Sequence, residues 1–121
     1  MLSRIMFAFT GAVALPAALL FHAELKSSIP ERDAVLKAPP REVTLTFSER
    51  VNPKLSAIVI LRPDSTEVMK LVLDATENAR VLHAPLTRAL PPGRYLVRYR
   101  TASADGHAVR GAFAFAVDVV E

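Results

Sequence analysis

Asp105 and His107 stand one residue apart, separated by Gly106, in the stretch Thr101-Ala102-Ser103-Ala104-Asp105-Gly106-His107. A carboxylate and an imidazole are both metal-ligand types. They can reach one ion from a loop only if the backbone between them bends freely, and glycine permits the bend because it has no Cβ. The same residues also make an ordinary Asp-Gly turn with a histidine in water, and on these residues alone that reading stands beside the metal site. The chain has no cysteine, so thiolate sites and disulfides are excluded. A bound metal must use nitrogen, oxygen or a methionine thioether.

The other histidines are His22 and His83. His22 directly follows a segment that reads as separate from the rest. Arg4 is the only charged residue of Met1 to Phe21, and Ile5 to Phe21 is apolar apart from Thr10, Gly11 and Pro16. A basic start followed by an apolar run is the pattern of a secretory signal helix. The run is short for a membrane span, which needs about 20 residues. A retained anchor and a buried core helix are the alternatives. Removing residues 1–21 takes away one charge, Arg4, from a net charge of +3.

If cleavage falls between Phe21 and His22, the mature chain begins with histidine. Its α-amine and imidazole can then close a small chelate ring on one ion. The amine has a pKa near ~7.7–8.0, so a metal displaces its proton at modest cost near neutral pH. With Asp105 and His107 this makes three nitrogens and one oxygen, the tetragonal N and O set that Cu(II) prefers. Signal cleavage favours small residues before the cut, and Leu19-Leu20-Phe21 fits that rule poorly. Cuts after Ala14, Ala18 or Ala23 fit it better. The first two leave His22 internal without its amine, and the third removes it.

These donors need a scaffold, and the rest of the chain reads as strands. Glu42 to Ser48 alternates Val43, Leu45 and Phe47 against Thr44, Thr46 and Ser48, a half-buried strand. Leu55 to Leu61 is rich in β-branched residues. Glu67 to Leu73, Arg80 to Ala84, Arg94 to Arg100 and Arg110 to Val119 read as further strands, with turn chemistry at Arg62-Pro63-Asp64-Ser65 and Leu90-Pro91-Pro92-Gly93. In the Arg94 strand, Tyr95, Val97 and Tyr99 share one face, and the arginines on the other read as solvated rather than as a binding stripe. His22 to Asp33 reads as mixed and polar, broken at Pro30. The strand spacing predicts an all-β antiparallel sandwich or small barrel. Met69, the one methionine after residue 21, reads as core filler. His83, with nothing beside it in sequence to pair with, reads as a structural or surface histidine.

Several stretches resemble the CopC family of periplasmic copper-binding proteins. They are His22-Ala23-Glu24-Leu25-Lys26-Ser27-Ser28-Ile29-Pro30, Val43-Thr44-Leu45-Thr46-Phe47-Ser48-Glu49, Leu90-Pro91-Pro92-Gly93-Arg94-Tyr95-Leu96-Val97-Arg98-Tyr99-Arg100, and Ser103-Ala104-Asp105-Gly106-His107 with Gly111-Ala112-Phe113-Ala114-Phe115. The resemblance implies a Greek-key immunoglobulin-like β-sandwich or barrel over residues 22–121, preceded by the signal helix over residues 1–21. It implies Cu(II) held by the amine and imidazole of His22, by Asp105 and by His107. Glu49 matches the family's Thr-Phe-Ser-Glu glutamate and is expected beside the ion rather than on it, with an ordinary strand-end carboxylate as the alternative. Some members carry a methionine-rich Cu(I) site, which Met69 alone cannot supply.

The function implied is a non-enzymatic periplasmic carrier or buffer for copper resistance or delivery. It would be a monomer, with an inner-membrane copper-transport protein as partner. Two readings compete. A membrane-tethered immunoglobulin-like interaction module without metal follows if the signal is retained. A copper-dependent oxidase with a histidine brace is opposed by the small size, by the lack of Trp, and by Asp105 in the coordination plane. Nothing resembles a nucleic-acid surface with interleaved aromatics.

Overall fold

The computed structural model describes Gly11 and residues 23–118. The apolar segment, His22 and Val119 lie outside the described residues. Eight strands follow in order: β1 Leu25–Ile29, β2 Val35–Leu36, β3 Glu42–Phe47, β4 Ala57–Leu61, β5 Glu67–Leu71, β6 Val81–Pro85, β7 Gly93–Ala102 and β8 Ala108–Val117. They form two sheets, β1-β3-β6 and β2-β8-β7-β4-β5. All pairings are antiparallel except β2 with β8. The chain is an all-β sandwich of immunoglobulin-like, Greek-key type, with successive strands switching sheets.

The alternation read in the sequence sets which faces meet. Val43, Leu45 and Phe47 of β3 turn inward and are almost wholly buried, as are Tyr95, Val97 and Tyr99 of β7 and Phe113, Phe115 and Val117 of β8. Phe47 meets Tyr99 across the two sheets edge to face, with ring centroids 5.7 Å apart. Tyr95 and Phe115 are cross-strand neighbours and stack at 5.6 Å. The Tyr95 hydroxyl donates to the Pro91 carbonyl at 2.5 Å, a tyrosine corner that pins the entry to β7. Met69 is buried in the core, as expected.

Four elements differ from the sequence reading. Leu25–Ile29, expected to be irregular, is a strand paired with β3. It is an edge strand with a bulge between Leu25 and Ser27, and this erases the alternation that marks a strand in sequence. The two-residue β2 was also missed. Leu55, expected to open a strand, instead ends a 3-10 turn over Pro53–Leu55 and is exposed; the Asn52 side chain caps that turn by accepting from the Lys54 amide at 3.0 Å. The third strand expected, Glu67 to Leu73, ends at Leu71, and Val72 lies in solvent.

Candidate metal centre

The β7–β8 hairpin ends in the Asp-Gly-His turn. The Ser103 amide donates to the His107 carbonyl, and the Gly106 amide donates to the Ser103 carbonyl, each at 2.9 Å. Gly106 has φ +88°, and nothing lies within 4 Å of a Cβ built there. The position is therefore constrained by backbone conformation and not by crowding.

Inside this turn Asp105 accepts three hydrogen bonds. Oδ1 takes the Ser103 hydroxyl and the His107 amide, the latter at 3.1 Å. Oδ2 faces His107 Nδ1 at 2.9 Å. The Ser103 hydroxyl, then the His107 ring, then the His107 amide hold the Asp105 carboxyl far below the usual carboxylate range. Asp105 is thus an ionised ligand type at neutral pH, and both side chains remain about half or more exposed. The Asp-Gly turn and the metal reading are therefore compatible. Oδ2 and Nδ1 share a hydrogen bond, so an ion that takes both atoms displaces the proton between them.

One other segment meets this turn directly, and it leads back to a third. Val51 pairs with Ser103 in an isolated antiparallel bridge, and the Asn52 amide donates to the Ala102 carbonyl at 2.9 Å. Glu49 lies half-buried in the bend two residues before Val51. Next to it, Ser48 exchanges two hydrogen bonds with Glu24: the Glu24 amide donates to the Ser48 hydroxyl at 2.9 Å, and the Ser48 amide donates to the Glu24 carbonyl at 2.8 Å. Ala23, the residue after His22, is buried in the core. Among the described residues no group of three or more His, Asp or Glu side chains is placed to hold a metal ion, and at this turn Asp105 and His107 are the donors brought together.

His83 is a structural histidine, but it does have partners. It lies in β6 between two carboxylates, with Nε2 2.8 Å from Glu42 Oε2 and Nδ1 3.2 Å from Asp74 Oδ2. The Glu42 contact is the largest cause of a pKa raised above the ordinary imidazole value. Both partners are distant in sequence, so no local pattern could show them. Sequence reasoning also gave Ser103 no role. It is buried, and its hydroxyl orients Asp105 and also contacts the His107 carbonyl at 3.4 Å. The signal was a serine two residues before the aspartate, the spacing at which a hydroxyl reaches a turn carboxylate.

The family model described as CopC domain matches residues 25–118. The chain belongs to the CopC family. The match starts after His22, so it does not include that residue. The protein YobA of Escherichia coli K12 is 34% identical over 97 residues, covering 79% of this chain and 78% of that protein. Copper resistance protein C of Escherichia coli is 29% identical over 118 residues, covering 89% of this chain and 92% of that protein. The crystal structure of CopC from Methylosinus trichosporium OB3b superposes with a TM-score of 0.77 at 32% identity, covering 83% of this chain and 97% of that one. The solved relative shares the sandwich, and the sequence relatives include a protein named for copper resistance.

Proposed function

We propose that this CopC-family chain is a non-catalytic periplasmic carrier of Cu(II), exported by residues 1–21. Family membership supports a copper-related function. The observation that carries the finer reading is the convergence of three segments at one end of the sandwich. Ala23–Glu24 is tied to Ser48, the bend after Ser48 leads to the Val51–Ser103 bridge, and Ser103 opens the turn that orients Asp105 and His107. His22 directly precedes Ala23 in the sequence. Its imidazole and, after cleavage, its amine would add two nitrogens to the oxygen of Asp105 and the nitrogen of His107, completing a set suited to Cu(II). Glu49 would lie beside the ion. Copper is the cargo here, and a monomer handing it to a membrane copper-transport protein is the role we favour. A relative named copper transport protein CutJ, from Bacillus subtilis, supports that direction: 87% of this chain aligns with 20% of that longer protein at 29% identity.

Calorimetric titration of the exported protein tests the reading. One Cu(II) per chain is expected, and Asp105→Ala and His107→Ala should each weaken it by more than the roughly 10–100-fold that loss of an outer partner costs. Unchanged affinity in His107→Ala would remove the site.

A further inference from the structure

The outer face of the five-stranded sheet carries a cluster of cations beside the Asp-Gly-His turn. Arg100 of β7 and Arg110 of β8 are directly opposite in register, and both are exposed. Like charges placed opposite each other on a sheet are destabilising, so this pair works against the fold. Arg98 lies two residues along the same face, and Lys70 of β5 is aligned with it across Val59. Val59 is buried although it sits on the outer face. Long cationic side chains flank it on both sides, and their stems can cover it. Among the described residues, none of these four cations has a side-chain hydrogen bond or a carboxylate within ion-pair distance. The three arginines border a recess of about 390 Å³ with Ala57, Val59 and Tyr99 in its lining.

We infer that this recess is the docking surface for an acidic segment, rich in Asp and Glu, of the protein that exchanges copper with this chain. The partner's chemistry follows from the cations. Guanidinium forks pair with carboxylates in two-point contacts, and uncompensated charge gathered on one face steers an oppositely charged partner to it. The location follows from the register. Arg100 and Arg110 sit two residues inside the hairpin, which closes at the Ala102–Ala108 pair and carries Asp105 and His107 at its tip. An acidic segment held there brings its own protein next to the turn. The identity of the partner rests on the carrier function proposed above; the anion-binding surface does not.

The test uses fluorescence anisotropy of a labelled hexaglutamate peptide at low ionic strength. It compares the wild-type protein, the triple variant Arg98→Gln, Arg100→Gln, Arg110→Gln, and a charge-matched control, Arg41→Gln, Arg62→Gln, Arg94→Gln. Saturable binding is expected for the wild type, weakened about tenfold by the recess variant, the scale of three exposed ion pairs lost together, and far less by the control. Equal weakening by both variants would mean that net charge alone attracts the peptide, and would overturn the surface. So would sedimentation with phosphatidylglycerol vesicles that depends on the three arginines when the peptide does not bind. Cu(II) titration of the recess variant separates the two proposals. Intact copper uptake with no peptide effect loses only the docking surface. No copper uptake by wild type, with the peptide effect present, loses the carrier reading and keeps the acidic-partner surface.

Discussion

Glu24 and Ser48 grip each other from both sides, amide to hydroxyl one way and amide to carbonyl the other. The pair fastens the start of the domain to the end of β3, one residue from Glu49. Its position makes it a link between the fold and the proposed copper site, because it ties the residues that follow His22 to the segment that leads to the Val51–Ser103 bridge.

Ser48→Ala removes the hydroxyl acceptor and leaves the backbone bond. We expect a loss of about 0.5–1.5 kcal/mol in unfolding free energy, the ordinary worth of one hydrogen bond. Cu(II) affinity should fall as well, because the segment that follows residue 22 is held less firmly. Urea unfolding and copper titration of the same variant measure the two effects. A stability loss with unchanged copper affinity would show that the entry segment does not help to place a ligand.

Tyr99 lies over Gly111, its cross-strand partner. A Cβ built at Gly111 would overlap the Tyr99 hydroxyl and come within 2.5 Å of the ring carbon Cζ. Tyr99 is buried and wedged against Phe47, so it has little room to yield. Gly111→Ala should destabilise the protein by about 1–3 kcal/mol, the usual cost of overpacking a core. The cost should shrink in a Tyr99→Phe background, where the nearest atom is gone. Denaturation midpoints for the four proteins of this cycle decide it, and equal costs in both backgrounds would reject the hydroxyl overlap as the cause.

His83, placed between Glu42 and Asp74, gives a pH signature to stability. Its folded pKa is raised, so its contribution is fully present below the unfolded value of 6.5 and is lost as pH climbs through the higher folded value. The wild type should therefore exceed His83→Gln most clearly below about pH 6.5, and the difference should diminish at alkaline pH. Urea midpoints across that range measure it. A difference that stays constant with pH would mean that the imidazole is not charged in its clamp.

How legible each part was depended on how local its cause is. β3, β7 and β8 were plain because each has one face in the core, and burial on one side writes a period of two into the chain. β1 was not, because an edge strand with a bulge has no strict period. Asp105 and His107 were readable because both sit in one turn, within reach of each other by backbone geometry alone. The Glu24–Ser48 link and the Val51–Ser103 bridge were not readable, since pairings between distant segments create them. The same is true of His83 with Glu42 and Asp74. The Arg100–Arg110 pair was visible only as two arginines in two strands until the register set them opposite each other.

His22 and its amine would supply the rest of the proposed donor set. Among the described residues Asp105 and His107 are two donors, too few for the tetragonal set that Cu(II) favours. We expect the exported protein to begin at His22, despite the poor fit of Leu19-Leu20-Phe21 to the small-residue rule. Amine and imidazole bind metal only when deprotonated, so Cu(II) affinity should fall as pH drops through about 8 and then through about 6.5. A recombinant form with one extra residue before His22 loses the free amine at the right place. It should bind Cu(II) much more weakly yet unfold at the same urea concentration, because the strands and the Glu24–Ser48 link begin after that residue. Intact mass of the exported protein, paired with copper titration of the extended form, checks both halves. A mature mass that starts at Glu24, or an extended form that binds as tightly, would show that the N-terminal histidine does not hold the ion.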